Sequence, residues 1–278
     1  MKLLRVGPVG AEKPACLDAD GLLRDLSGVA ADFEGEGVSL EALEKIKALD
    51  LGSLPVVQGE PRIGAALARV ETFYAIGLNY AQHAAEAGMA PPKEPILFNK
   101  SASCLAGPND PLTLPKCSAK SDWEVELGVV IGKRAQNVSV TEALHYVAGY
   151  CVINDLSERA YQIERGGQWT KGKSAPGFGP IGPYLVTADE IADPQALGLR
   201  LSLNGEMVQD NFTSDMIFSV AEIIAHMSEF MALVPGDVIA TGTPEGVGMG
   251  MTPQRFLQVG DVMELEIDGL GKQRTEVI

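Results

Sequence analysis

"SDWEVELGVV", residues 121–130, sets Glu124 and Glu126 one residue apart inside an otherwise apolar run. Apolar alternation over this length describes a strand, whose side chains point to opposite faces in turn. Trp123, Val125, Leu127 and Val129 then share one face, and the two carboxylates the other. Side by side on one strand, the carboxylates stand roughly 7 Å apart. Two readings are open: a charged face turned to solvent, or a carboxylate pair that shares a cation.

Similar strand patterns lie on either side: "VAGYCVINDLS" (147–157), "GPYLVT" (182–187), "LRLSLNGEMVQD" (199–210), "DVIATGT" (237–243) and "DVMELEIDGLG" (261–271). Asn204-Gly205 is a two-residue hairpin signal, and Asp20-Gly21 is another near the start. Helical periodicity is rare. "SLEALEKIKALD" (39–50) predicts a helix capped by Ser39, with Leu40, Leu43, Ile46 and Lys47 on one side. "VTEALHYV" (140–147) and "SVAEIIAHMSEFM" (219–231) predict two more. With 31 glycines and 17 prolines spread along the chain, many short strands and turns are expected. The fold class is therefore α+β, predominantly β. A change of character near residue 70, before "TFYAIGLNY", divides the chain into a small N-terminal domain (1–70) and a larger one (71–278).

The 278 residues are 46% hydrophobic, which suits a sizeable core. A net charge of −15 argues against nucleic acid and anionic membrane surfaces, and favours solubility and a bound cation. No apolar run approaches a membrane span, and "MKLLRVGPVG" lacks the features of a signal peptide, so a cytoplasmic protein is expected. Cys16, Cys104, Cys117 and Cys151 are scattered and read as reduced thiols. G-x-S-x-G, H-E-x-x-H and G-x-x-x-x-G-K-[ST] are all missing, and "TGTPEGVGMG" (241–250) is no dinucleotide fingerprint. His83, His145 and His226 have no zinc-site spacing.

Three constellations remain. Asp155 ends the apolar run "GYCVIND", so its carboxylate is expected at a strand end near the core. Buried carboxylates need partners. Glu124, Glu126 and Asp155 with waters would suit Mg²⁺ or Mn²⁺. In "GLNYAQHAAEAG" (77–88), Asn79 can cap a short helix ending at Gly88. His83 and Glu86 are i, i+3 neighbours on it, either an ordinary surface pair or a base oriented by a carboxylate. In "GQWTKGKSAPGFGPIGP" (167–183), Lys171 and Lys173 are either solvated or aimed at an anionic substrate. Arg159 and Gln162 follow Asp155 within reach of the same pocket.

The order "GLNYAQHAAEAG", "KSASCLAGPNDPLTLP", "DWEVELGVVIGK", "GYCVINDLSER", "QWTKGKS", "GPIGPYLVT", "PGDVIATGTPEGVG" strongly resembles the fumarylacetoacetate hydrolase family over roughly 70–278. The resemblance implies a mixed β-sandwich roll preceded by a small N-terminal α/β domain, usually in a homodimer. It implies a metal site at Glu124, Glu126 and Asp155, with Mg²⁺ as the usual ion and Mn²⁺ possible. It implies catalytic roles for His83, Glu86 and Lys173, and substrate contacts from Arg159, Gln162, Lys173 and Thr243. The activity implied is C–C hydrolysis of a 2-oxo acid, here a 2,4-diketo-3-deoxy sugar acid such as L-rhamnonate or L-fuconate derivatives. Ureidoglycolate lyase and oxaloacetate decarboxylase are the alternative activities, and a catalytically inactive metal-binding subunit is the non-enzymatic one. One departure stands out: Ala175-Pro176 occupy positions where many relatives carry an aromatic residue and an acid.

Overall fold

The computed structural model describes residues 1–117 and 119–278. Val125–Ile131 is a strand, and all seven of its residues are buried. Trp123, Val125, Leu127 and Val129 lie wholly inside the core, where each such side chain stabilises the fold by about 1.5–3 kcal/mol. The opposite, carboxylate-bearing face is equally buried, which excludes a solvated face. The strand also begins later than the alternation suggests. Ser121–Asp122 pairs separately with Ser157–Glu158, leaving Trp123 and Glu124 at a break between the two ladders.

The strand Val125–Ile131 sits within a nine-stranded sheet. Its order is Leu23–Asp25, Lys13–Leu17, Lys2–Val6, Leu185–Thr187, Val147–Asn154, Val125–Ile131, Val238–Ala240, Phe73–Gly77, Ile96–Lys100. The sheet is mixed: Val238–Ala240 runs parallel to Phe73–Gly77 and antiparallel to Val125–Ile131. A second, antiparallel sheet of four strands (Glu206–Phe212, Gly198–Leu203, Val262–Ile267, Gly271–Glu276) packs against Val125–Ile131 and Val147–Asn154. The Gln273 amide crosses between the sheets and donates to the Val152 carbonyl at 2.8 Å. The predominantly β architecture matches expectation. Asn204 and Gly205 form the predicted hairpin turn with φ of 54° and 81°, a conformation that favours these two residue types.

Helix α1 is Leu40–Lys47, with the Ser39 hydroxyl accepting from the Ala42 N–H as an N-cap. Its buried Leu43 and Ile46 join the main core, as do Leu3, Leu26 and Phe33. Residues 1–70 thus extend the central sheet through Lys2–Val6 against Leu185–Thr187 and share its core. Helices α2 (Ala81–Glu86), α3 (Arg159–Ile163) and α4 (Thr170–Lys173) are short, and α5 (Val220–Phe230) carries a full Ser219–Glu222 capping box. No helix among the described residues is long and apolar enough to cross a membrane. Cys16, Cys104, Cys117 and Cys151 are unpaired, as expected.

Two helical expectations change. Residues 140–147 form only a 3-10 turn over Ala143–Tyr146; only Ala143 of that turn is buried, so no apolar helical face forms. Asn79 does not cap α2. Its side chain instead donates to the carbonyls of Phe218 (3.0 Å) and Thr241 (2.8 Å), and accepts from the Phe218 N–H (2.8 Å). Asn79 is fully buried and ties the approach to α2 to two distant loops. Asn79→Ala should therefore cost roughly 2–4 kcal/mol, because the partners it leaves are buried backbone groups. A urea midpoint within error of wild type would refute that role.

Candidate functional site

The break at 123–124 places the first carboxylate. The Glu124 N–H donates to Asn154 Oδ1 (3.1 Å), and the Asp155 N–H donates to the Glu124 carbonyl (2.9 Å). These bonds hold Glu124 and Asp155 together where two neighbouring strands end. Glu126 follows one pleat along, its Oε2 accepting from the Gly242 N–H at 2.8 Å. Ligand oxygens of Glu124, Glu126 and Asp155 lie within 4.8 Å of one another, and all three residues are buried.

Charge is balanced unevenly. Lys173 Nζ donates to Glu124 Oε2 (2.6 Å) and Asp155 Oδ2 (2.7 Å). Arg159 reaches Glu124 Oε1 (2.8 Å) and Asp122 Oδ2 (2.8 Å). Lys100 donates to Asp155 Oδ1 (2.5 Å) and to the Lys173 carbonyl (2.5 Å). Four buried carboxylates, Asp122, Glu124, Glu126 and Asp155, thus meet three buried cations, Lys100, Arg159 and Lys173. Burial disfavours the Glu124 carboxylate, but Lys173 and Arg159 outweigh it and hold its carboxyl well below the usual range. Burial likewise opposes the Lys173 ammonium, and Asp155 and Glu124 overcome it, raising the lysine's pKa. Glu126 has no ion pair among the described residues. Burial first, then the charges of Asp155 and Glu124, push its carboxyl well above the ordinary value. A carboxylate so placed takes up either a proton or a cation. The all-oxygen donor set with one carboxylate unmatched fits a hard divalent ion.

His83 and Glu86 are not a surface pair. His83 is only 6% exposed, with Nδ1 3.4 Å from Glu86 Oε2. Glu86 also accepts from the Gly246 N–H at 3.0 Å, docking α2 against the glycine-rich loop. His83, Glu124, Glu126, Arg159, Gln162, Lys173 and Thr243 line one cavity of about 320 Å³. Asp155 stands behind it through Lys173, and Glu86 behind it through His83. His83, Glu86, Glu124, Glu126, Asp155, Arg159, Gln162, Lys173 and Thr243 are therefore brought together, and Lys171 is not. The Thr243 hydroxyl already donates to the Val125 carbonyl (3.0 Å) and accepts from Gln209 (2.8 Å), so it shapes the wall with its proton committed. Lys171 stays outside, donating to the Arg165 carbonyl. Pro176 lines a different cavity, beside Arg62 and Asp110, so the departure at Ala175-Pro176 falls away from this one.

Sequence reasoning missed Lys100 and Asp122. The available signal was a lysine closing an otherwise half-apolar strand, "ILFNK". Asp122 accepts from the Gly248 N–H (2.7 Å) and Met249 N–H (3.0 Å) as well as from Arg159, so it fastens the loop after Val238–Ala240 to the centre.

Comparison with known proteins identifies the family. The family model described as fumarylacetoacetate (FAA) hydrolase C-terminal matches residues 72–278. A Burkholderia ambifaria protein, named provisionally as a hydrolase, is 57% identical over 98% of this chain and 97% of its own length. A solved fumarylacetoacetate hydrolase from Exiguobacterium antarcticum superimposes with a TM-score of 0.88 at 34% identity, covering 100% of this chain and 99% of that one. A solved 5-carboxymethyl-2-hydroxymuconate delta-isomerase from Mycobacterium smegmatis gives 0.78 at 28% identity, covering 100% and 99%.

Lys100 supplies the sharpest test of this charge arrangement. Lys100→Met leaves Asp155 Oδ1 and the Lys173 carbonyl without their buried donor. The loss should be about 3–5 kcal/mol, the usual result of breaking a buried pair from one side. Urea unfolding would show it as a lowered midpoint, and a change under ~0.5 kcal/mol would remove Lys100 from the support of the centre.

Proposed function

The chain belongs to the fumarylacetoacetate hydrolase family, and on that premise we propose that it is a Mg²⁺-dependent hydrolase cleaving the C3–C4 bond of a 2,4-dioxo acid. The products are pyruvate and a second carboxylic acid. The 2,4-diketo-3-deoxy sugar acids implied by the resemblance are one group within this substrate class. The observation that carries the reading is Glu126, a buried carboxylate with no ion pair among the described residues, in a cavity that also presents His83 and Lys173. All of these residues fall within 71–278, which we take as the catalytic domain, with 1–70 as a leading domain.

Glu124, Glu126 and Asp155 would hold a divalent ion, Mg²⁺ with Mn²⁺ as a substitute, which would supply Lewis-acid chemistry for the 2-oxo acid. The chain's own residues do the rest. His83 turns Nδ1 to Glu86, which leaves its other ring nitrogen to take a proton from water. The water oxygen adds to C4. The C3–C4 bond then breaks, its electron pair passing to pyruvate enolate while C4 leaves as the new carboxylic acid. An ammonium has three N–H groups, and Lys173 gives two to Glu124 and Asp155. The third has no hydrogen-bond partner among the described residues and can donate to the developing enolate oxygen. The Gln162 amide, steadied by Arg159 at 3.1 Å, offers a donor for the substrate's anionic head. The proton held by His83 returns to C3, and the atoms balance as substrate plus water.

A second reading is enol–keto isomerisation, favoured by the 28% identical isomerase neighbour and needing the same proton-moving groups without water addition. Ureidoglycolate cleavage would give urea and glyoxylate, oxaloacetate decarboxylation would give carbon dioxide and pyruvate, and a silent metal-binding role would give no product. NMR of the reaction mixture separates all of these. Pyruvate released from a 2,4-dioxo acid together with the second carboxylic acid, lost with EDTA and restored by Mg²⁺, is the expected result; clean urea release from ureidoglycolate without pyruvate from any dioxo acid would sink the proposal. We also take the working form to be a homodimer, with twice the 29.4 kDa chain mass in sedimentation.

Two variants divide the roles. Glu126→Gln should abolish the rise in melting temperature that Mg²⁺ gives the wild type, because binding to the native state alone stabilises it. An undiminished rise would mean the ion binds elsewhere. His83→Ala should keep that rise yet reduce turnover by ~10²–10⁴, and full activity would exclude His83 as the base.

A further inference from the structure

The cavity is divided by polarity. Its charged floor is Glu124, Glu126, Arg159, Gln162 and Lys173, with His83 above. Apart from the Thr243 hydroxyl, the remaining wall is largely carbon and sulfur: chiefly Met89, Phe98, Ile163, Trp169 and Met249. Phe98 is the junction, its ring centroid 5.3 Å from Lys173 Nζ and 5.2 Å from the Trp169 ring, which meets it edge-on at 70°. Trp169 is seated by the backbone as well: a Cβ on Gly77 would collide with its ring, so the indole lies where strand Phe73–Gly77 carries no side chain. Met89 and Ile163 are 48% and 52% exposed, continuing the apolar surface outward.

We infer that the group beyond C4 of the substrate is apolar, an unsubstituted alkyl or aryl arm, and that Trp169, Phe98, Met89, Ile163 and Met249 select it. The inference rests on the hydrolase reading above, because that reading places the dioxo acid head on the charged floor. The head then engages His83, Lys173, Gln162 and the carboxylates, and the arm is left to this wall. Among the described residues of that wall, the side-chain N–H and O–H groups are the Trp169 indole and the Thr243 hydroxyl, whose proton is already given to the Val125 carbonyl. Hydroxyls along a sugar-derived arm would lose water there and regain one donor at most, which costs binding. An alkyl or phenyl arm loses only the water that opposes it. A volume of about 320 Å³ holds the head and a short arm, at the small end of ligand pockets.

The experiment compares 2,4-dioxo acids that differ only in the arm, using the full chain with Mg²⁺. The arms are methyl, butyl, phenyl, and a four-carbon chain bearing hydroxyls. Pyruvate release should rise in kcat/KM by ~10-fold or more from methyl to phenyl, with the hydroxylated arm below butyl. Trp169→Ala should shrink the phenyl-to-methyl ratio toward one, and so should the solvent-side variant Met89→Asn, which leaves the interior untouched. A hydroxylated arm that equals or exceeds butyl overturns the inference, as does a ratio unmoved in both variants. If no arm releases pyruvate, the hydrolase reading fails, and calorimetric titration with the same four acids still judges the arm. Tighter binding of phenyl and butyl than of the hydroxylated arm supports the wall's selectivity, and equal or reversed affinity overturns it.

Discussion

Four carboxylates and three cations buried together set the terms for the rest of this molecule. An unpaired buried charge is prohibitive, while a paired one needs accurate geometry to offset its lost hydration. Lys173 meets that demand by bridging Glu124 and Asp155, and Lys100 by holding the other oxygen of Asp155 together with the Lys173 carbonyl. The two lysines arrive from different places, one closing the edge strand Ile96–Lys100 and the other ending α4. The edge of the sheet and a loop nearly twenty residues past Asp155 are therefore locked to the same pair of strand ends. The register helps: Val125 pairs with Asn154, so the next residues outward, Glu124 and Asp155, come opposite each other where the ladder ends.

The glycine-rich loop at 241–250 is the second support. It offers backbone N–H groups to three acids: Gly242 to Glu126, Gly246 to Glu86, and Gly248 to Asp122. One loop thus positions a proposed metal ligand, the partner of the proposed base and the anchor of Arg159. The indole of Trp123, on the core face of the central strand, donates back to the Gly246 carbonyl at 3.0 Å. The apolar face of "SDWEVELGVV" consequently fixes the loop that faces its acidic side.

What the sequence displayed was local. Alternation, the Asn204-Gly205 turn and the Ser39 cap are each decided within a few residues, and all are legible. Glu124, Glu126 and Asp155 could be grouped because neighbouring antiparallel strands bring them together and because the motif order resembled a known family. Asn79 was misjudged since an Asn before a helix favours capping unless distant backbone groups compete, and here Thr241 and Phe218 do. The 140–147 segment has helical periodicity, but Ala143 is the one buried residue of its turn, so propensity alone did not make a helix. Lys100 pairs with an acid 55 residues away, and no spacing rule reaches that far.

The division between charged floor and apolar wall follows from the same electrostatics. Interactions among Glu124, Lys173 and a developing enolate are strong only where water is scarce. Water is kept from the floor by large carbon surfaces, and Phe98 supplies one directly against the Lys173 ammonium. Such walls also set what else can enter. A substrate whose distal end carries its own hydration shell would bring water to the ion pairs that need it excluded, whereas a hydrocarbon end completes the enclosure. Substrate preference and the strength of the charged centre are in this sense one property of the cavity, and a polar replacement at Trp169 acts on both.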